Sequence, residues 1–374
     1  MNIVIDAYQA SPHITGSDRL AYNMLRELQG IDRTNEYTVM VNGKYDFMRS
    51  AISAPNFRVW PVIANKRAIW LTFRLPLLLL QFKADVFYSF YNLSGPGIRT
   101  CRTIISLLDM IPVERPDLYF GKDSSAMRKR IVSFVMNRST KVANHYTAIS
   151  KYTKEVAVET LGLPADKIDV IYLQADPLFF EPVSSEQLKA VAKKYNLPKS
   201  FVFTLGASEP RKNVGSLVLA HRQLPEVLRQ QYPLLIGGAK WHNEEVDLGD
   251  DPFTRLLGFI DDSDLPVVYR LATTFAFPSQ YEGFGLTVLE AFASDTAVIT
   301  SNTTSLPEAA GEAALLVNPS DVNDIAAALK KVLTNSKYRD SLVKAGREQV
   351  KQFSWEKAAK RVHHILVETK DPSS

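Results

Sequence analysis

Two short stretches of this chain bring together residues that could do chemistry. The first is Glu282-Gly283-Phe284-Gly285-Leu286, with Glu290 further along. It follows an apolar run, 273–277, closed by Pro278. Beyond it Leu286, Leu289 and Phe292 recur at helical spacing, with Val288 beside them. That pattern predicts a helix with one buried face. Strand, glycine turn and helix form a βα unit, whose turn is where open α/β sheets hold ligands. Gly283 and Gly285 have no Cβ to keep a ligand off the backbone. The free N–H groups at a helix start favour an anion or an electron-rich oxygen. A helix opening near Phe284 puts Glu290 fewer than two turns in, at about 1.5 Å of rise per residue. The two carboxylates can then serve the two ends of one extended ligand. The plain alternative is two solvated charges, because glutamate is mostly exposed.

The second stretch is Gly206-Ala207-Ser208-Glu209-Pro210-Arg211-Lys212-Asn213, after the apolar run 201–205. An adjacent Arg and Lys at a helix start, just after a glycine, suit a diphosphate: one offers a planar fork, the other a point charge. A solvent-facing basic pair is the alternative. Asp262-Ser263-Asp264 has the spacing of a metal-binding pair of aspartates. It precedes Leu265-Pro266, however, where Asp and Ser cap helices and Pro fits the first turn, so a cap is expected there. The six His and single Cys form no metal-ligand cluster, and no metal or other cofactor is expected.

The elements that must position these residues alternate along the chain. Residues 2–7, 37–41, 57–61, 86–90, 103–108, 146–149 and 168–173 read as strands. So do 201–205, 234–238, 256–259, 273–277 and 298–300. Helical or turn segments separate them, which implies doubly wound parallel sheets. Ser17 or Asp18 is expected to cap a helix striped by Leu20, Met24 and Leu28, ended by Gly30. Ser150 is expected to open a helix that Gly162 stops.

With 374 residues the chain is too long for one ordinary core and comfortable for two. Its 46% apolar and 22% charged content is that of a globular protein. No signal-peptide pattern opens it, and one cysteine, Cys101, allows no intrachain disulfide, as in a reducing cytoplasm. The longest apolar stretch, 68–82, holds Arg74 and Pro76 and falls short of the roughly 20 residues needed to span a bilayer. It reads as a buried helix, with an interfacial helix as the alternative. Residues 1–180 carry 22 Lys and Arg against 16 Asp and Glu; the rest carry 22 against 24. The excess is too small for nucleic acid but compatible with an anionic membrane surface or a pyrophosphate-linked acceptor. Much of it lies in 122–141, a basic amphipathic helix that reads most simply as a solvated surface element.

Residues 258–319 resemble the donor-sugar domain of the retaining nucleotide-sugar glycosyltransferases of family four, most closely the bacterial mannosyltransferase-like branch. The resemblance rests on Gly258-Phe259-Ile260, on Phe277-Pro278-Ser279-Gln280-Tyr281-Glu282-Gly283-Phe284-Gly285-Leu286, on Leu289-Glu290-Ala291 and on Ser305-Leu306-Pro307-Glu308-Ala309-Ala310-Gly311. Asp295 and Ala297 depart from it, since the family usually has Gly and Pro there. Leu108 of Leu108-Asp109 departs too, standing where the family usually has His.

The resemblance implies the GT-B architecture, two doubly wound Rossmann-like domains facing each other across a cleft. The expected parts are an acceptor-side domain at 1–180, a linker at 181–198, a nucleotide-sugar-binding domain at 199–353, and a helix and tail at 354–374 crossing back to the first domain. It implies a retaining, metal-independent hexosyltransferase, with GDP-mannose favoured as donor and UDP-hexoses next. The acceptor would be a saccharide or lipid-linked saccharide in cell-surface polysaccharide synthesis. The place would be the cytoplasm or the inner membrane face. Arg211 and Lys212 would hold the pyrophosphate, Glu282 the sugar hydroxyls and Glu290 the ribose. Gly16, Ser17, Gly206, Gly258, Phe259, Gly283, Phe284, Gly285 and Leu286 would line the donor; Leu108, Asp109 and Ser150 would lie on the acceptor side. The alternatives are a donor-binding subunit with weakened catalysis and a nucleotide-sugar epimerase of the same fold.

Overall fold

The computed structural model describes residues 1–8, 14–63, 69–92, 95–120, 125–206, 209–238 and 251–368, without the side chains of 126, 128 and 129. Ala207, Ser208, Ala68 and the tail 371–374 fall outside the described residues. The chain divides into two units, one of Met1–Leu173 with Ser354–Ser374 and one of Gln174–Phe353.

The first unit is built on seven strands: β1 (Asn2–Asp6), β2 (Glu36–Asn42), β3 (Phe57–Val62), β4 (Val86–Ser89), β5 (Arg102–Leu107), β6 (His145–Ala148) and β7 (Ile168–Val170). Their order is β3-β2-β1-β4-β5-β6-β7, all parallel. The second unit has β8 (Val202–Leu205), β9 (Leu234–Gly237), β10 (Thr254–Gly258), β11 (Thr274–Phe277), β12 (Val298–Ser301) and β13 (Ala314–Val317), in the order β10-β9-β8-β11-β12-β13. These short apolar runs are covered on both faces, as parallel strands with crossover helices must be. In the second unit Leu217, Ile236, Ile299, Ile325 and Leu329 fill one side of the core. Tyr269 packs edge-on against Phe203 and Phe275, and Phe275 stacks on Phe277. The order reverses between β1 and β4 in one sheet and between β8 and β11 in the other. At such a reversal neighbouring crossovers leave on opposite faces, and a crevice opens at the strands' C-terminal ends.

Local readings of the sequence needed correction in several places. The helix Gly16–Ile31 is capped by Thr15, not by Ser17 or Asp18. Thr15 and Asp18 form a reciprocal capping box, and the helix runs through Gly30 to Asp32. Asp264 does not cap the helix Leu265–Leu271 with its side chain. It takes Lys194 at 2.6 Å and the Tyr195 hydroxyl at 3.0 Å instead. Strand β13 went unread because Ala314-Leu315-Leu316-Val317 continues an alanine-rich run, although Gly311, at φ of +52°, closes the helix before it. In the stretch read as a linker, the helix Ser185–Lys194 packs on Leu265–Leu271 within the second unit.

The last helix, Trp355–Val367, lies in the first unit against Gly16–Ile31. His363 reaches Asp32 at 2.9 Å, and Arg102 donates to the Ile365 carbonyl at 2.7 Å. Arg361 pairs with Asp169, which also takes His145 at 2.7 Å.

Candidate functional site

The reversal in the second sheet is where the two stretches of chemistry meet. Gly206 leaves β8 with φ of +101°, and the chain reaches a single 3-10 turn, Pro210–Lys212. Asn213 follows with φ of +57° and opens the helix Val214–Arg222. Its amide donates to the carbonyls of Pro278 at 3.1 Å and Pro319 at 2.7 Å. The Arg211 carbonyl accepts the Gln280 N–H at 2.7 Å and the Ser279 hydroxyl at 2.9 Å. The turn after β8 and the loop after β11 are therefore one stitched structure.

The side chains close it electrostatically. Arg211 lies 2.6 Å from Glu282 and donates to the Tyr281 carbonyl at 3.1 Å. Glu209 takes Arg211 and, at 2.9 Å, Lys212. Burial alone would raise the Glu209 carboxyl, but Lys212 and Arg211 outweigh it and hold its pKa at about 2. Lys212 folds back over Gly206: a Cβ there would meet its Cδ at 2.1 Å. Two cations thus stand against two carboxylates, and an incoming diphosphate can take over the role of Glu209. The sequence held a signal for this carboxylate, an acid two positions before a basic pair, but no role was read from it.

Glu282 is held on every side. It accepts the Ser279 hydroxyl at 3.1 Å, its N–H donates to Thr304 Oγ1 at 3.3 Å, and its carbonyl accepts the Ser305 hydroxyl at 2.8 Å. Gly285, at φ of +117°, precedes the helix Leu286–Ala293, which no side chain caps. The helix begins four residues after Glu282, on the same loop. The close neighbours of a Cβ at Gly285 would be Leu306 at 3.1 Å and Ala309 at 3.2 Å. Its missing side chain thus serves packing on the next helix as well as its unusual φ. Phe284 is buried edge-on against Phe353, so only its backbone is available to a ligand. Glu290 is buried within the helix and accepts the Tyr269 hydroxyl at 3.4 Å. Gly258 ends β10 with φ of +74°, followed by an exposed Phe259.

In the first unit Gly16 and Ser17 form the start of a helix at the other reversal, where the Ser17 and Thr15 hydroxyls are 2.8 Å apart. Leu108 is half-buried one residue beyond β5, and its N–H donates to Asn92 Oδ1 at 3.4 Å. Asp109 accepts the Ile111 N–H at 3.3 Å. Ser150 is fully buried, and its hydroxyl oxygen accepts the Thr153 N–H at 3.0 Å, capping the helix Lys151–Leu161.

Two Rossmann-like units, with a cation pair and an uncapped helix start meeting at a reversal of strand order, define a glycosyltransferase of the GT-B fold. The sequence profile described as "Glycosyltransferase Family 4" matches residues 14–177, and that described as "Glycosyl transferases group 1" matches 185–349. The chain is 33% identical over 280 residues to the O-antigen chain mannosyltransferase B of Escherichia coli, covering 72% of each. It is 32% identical over 270 residues to the serotype-specific mannosyltransferase WbdA of the same species, covering 69% of this chain and 32% of that longer one. Among solved structures, sucrose-phosphate synthase from Thermosynechococcus elongatus superposes with a TM-score of 0.75 at 19% identity, over 97% of this chain and 98% of that one. The chain belongs to glycosyltransferase family four, in its mannosyltransferase-like part.

Proposed function

We propose that this glycosyltransferase moves a hexosyl residue from a nucleotide-sugar to a saccharide or lipid-linked saccharide in cell-surface polysaccharide synthesis, with retention at the anomeric carbon. GDP-mannose is the favoured donor and a UDP-hexose the second. The observation that carries the reading is the Arg211–Lys212 pair, held by internal carboxylates beside an uncapped helix start. Similarity to an O-antigen chain mannosyltransferase supports the sugar and the polymer.

As the bond from the anomeric carbon to the diphosphate oxygen breaks, charge builds on the leaving group. Arg211, Lys212 and the helix start stabilise it there more than in the ground state. The acceptor oxygen bonds to the same face, and its proton passes to the departing phosphate, so no protein base is required. Glu282 orients the sugar hydroxyls and Glu290 the ribose. The cations take the place a metal fills in other transferases, so transfer is expected to survive EDTA. Loss of activity restored by manganese or magnesium would refute that part.

The test is thermal stabilisation and sugar transfer with GDP-, UDP- and TDP-sugars. A donor at 100 times its Kd adds about 2.7 kcal/mol. No stabilisation by any nucleotide-sugar overturns the proposal. Stabilisation without transfer points to a weakened subunit, and release of free sugar and nucleotide to an epimerase-like enzyme.

A further inference from the structure

The first unit exposes an apolar and basic surface that the donor chemistry does not use. Of the stretch 68–82, expected as a buried helix, the described part, 69–82, is buried on one side only, through Trp70, Leu71, Leu75 and Leu79. Its outer side shows Ile69, Phe73, Leu77 and Leu80, each more than half exposed. At helical spacing these four form one continuous stripe. The helix Ala126–Lys141 has a matching stripe, in which Met127, Ile131 and Phe134 alternate with exposed Arg130, Arg138 and Lys141.

The backbone binds the two stripes into one surface. Residues Trp70–Arg74 form a π-helical turn, in which the Leu75 N–H bonds to the Trp70 carbonyl. The Leu71 carbonyl, freed from its usual partner, accepts the Gly97 N–H at 3.0 Å. Gly97 in turn accepts Arg138 at 2.7 Å. A Cβ on Gly97 would stand 2.2 Å from the Thr72 carbonyl oxygen, and one on Gly95 2.6 Å from the Ser139 Cα. The loop is therefore clamped between the two helices, and it adds exposed Ile98 and Arg99 to the same surface. Beside it lies a groove of about 530 Å³ lined by Gly97, Phe134, Arg138, Lys141 and Val142.

The charge on this surface is one-sided. Residues 69–83, 95–102 and 125–141 contain nine Lys and Arg and no Asp or Glu. Among the described residues of neighbouring elements, Asp85 accepts the Asn2 N–H at 2.7 Å, Asp117 pairs with Arg115 at 2.8 Å and Glu114 takes the Tyr152 hydroxyl. A contiguous apolar patch marks an interaction surface. Apolar side chains interleaved with cations are the pattern of a helix lying in the interface of an anionic bilayer. A second copy of the chain would bring the same unbalanced cations face to face.

We propose that this surface docks the protein on an anionic lipid bilayer. Phe73, Leu77, Ile131 and Phe134 enter the acyl boundary, and Arg74, Arg99, Arg130 and Lys141 meet lipid phosphates. The proposal stands apart from the donor reading, because binding is measured without any sugar nucleotide.

The test is cosedimentation of the full chain with phosphatidylcholine vesicles, with and without phosphatidylglycerol. Binding is expected only with the anionic lipid and is expected to weaken as salt rises. Two variants probe the two halves of the surface, Phe73→Ser with Leu77→Ser and Arg74→Glu with Arg130→Glu. All four residues are exposed, so each variant is expected to keep the native melting temperature and to bind at least about tenfold more weakly. Equal vesicle binding by native and variant proteins overturns the proposal. So does a native dimer that fails to bind vesicles and dissociates in the Phe73 and Leu77 variant, which would make a second copy the occupant.

Discussion

Arg211 is held between two carboxylates, with Glu282 at 2.6 Å on the loop after β11 and Glu209 at the turn after β8. The cation is already oriented before any ligand arrives, and its two partners come from the two loops that meet at the reversal of strand order. Replacing both Arg211 and Lys212 by alanine is expected to abolish transfer. Each lost charge-assisted contact is expected to weaken nucleoside diphosphate binding by about 1.5–3 kcal/mol. Both side chains belong to the turn that follows β8 and not to the apolar core of the sheet, so the fold is expected to persist. Calorimetry on the double variant checks this, and unchanged diphosphate affinity would remove the pair from the site.

The same geometry separates the two glutamates. Glu282 touches Arg211, Ser279 and, through its backbone, Thr304 and Ser305, and on the proposed reading it faces the reacting end of the donor. Glu290 is buried within the helix that follows the turn, with Tyr269 as a partner. Glu282→Ala is expected to lower kcat, and Glu290→Ala to raise the donor KM. Native kinetics in both variants would reduce the pair to structural charges.

The strand alternation and the two loops of the candidate site were legible because each depends on local pattern, whereas the strand order, and with it the two reversals, is set by pairing between distant segments and was not read. Asp295 shows what was not. The family favours Gly there, and in this chain Asp295 adopts φ of +60° and pairs with Arg347 at 2.6 Å. Aspartate tolerates that backbone region better than most residues, and its partner lies 52 positions away. The Glu209 clamp and the outward stripe of Phe73 and Leu77 were hidden for a related reason. Sequence period tells that a helix has two faces, but only the packed neighbours tell which of two apolar faces is covered.

The last helix supplies a pH-dependent prediction. Burial alone would raise the Asp169 carboxyl, but Arg361 and His145 outweigh it and keep its pKa below the ordinary value of 3.8. A group whose folded pKa is depressed adds stability above its unfolded pKa and loses it as pH falls through the folded one. Asp169→Asn is therefore expected to destabilise the protein by roughly 1–2 kcal/mol at neutral pH. The difference from the native chain is expected to shrink in acid, below about pH 4. Melting temperatures of the two proteins across that range check it. A constant difference would mean that the carboxylate charge does not hold the helix.

Leu108 is the place where the chain leaves its family's pattern beside a strand end. It follows β5 directly, is half-buried, and has its backbone N–H directed at Asn92. A histidine at this position can pair with a sugar hydroxyl; leucine offers only an apolar wall. A buried hydroxyl left without a partner costs about 1–3 kcal/mol. If residue 108 reads the donor, the native enzyme is expected to disfavour an ordinary hexose and to accept a deoxysugar lacking that hydroxyl. Leu108→His is then expected to shift the preference back by about tenfold or more, since 1.4 kcal/mol is a factor of ten. A donor panel of GDP-mannose and its deoxy analogues, run on both proteins as kcat/KM, decides it. If the native protein shows no deoxysugar preference and the variant gains nothing on hexoses, the side chain at 108 does not contact the donor. Its departure from the family then concerns packing alone.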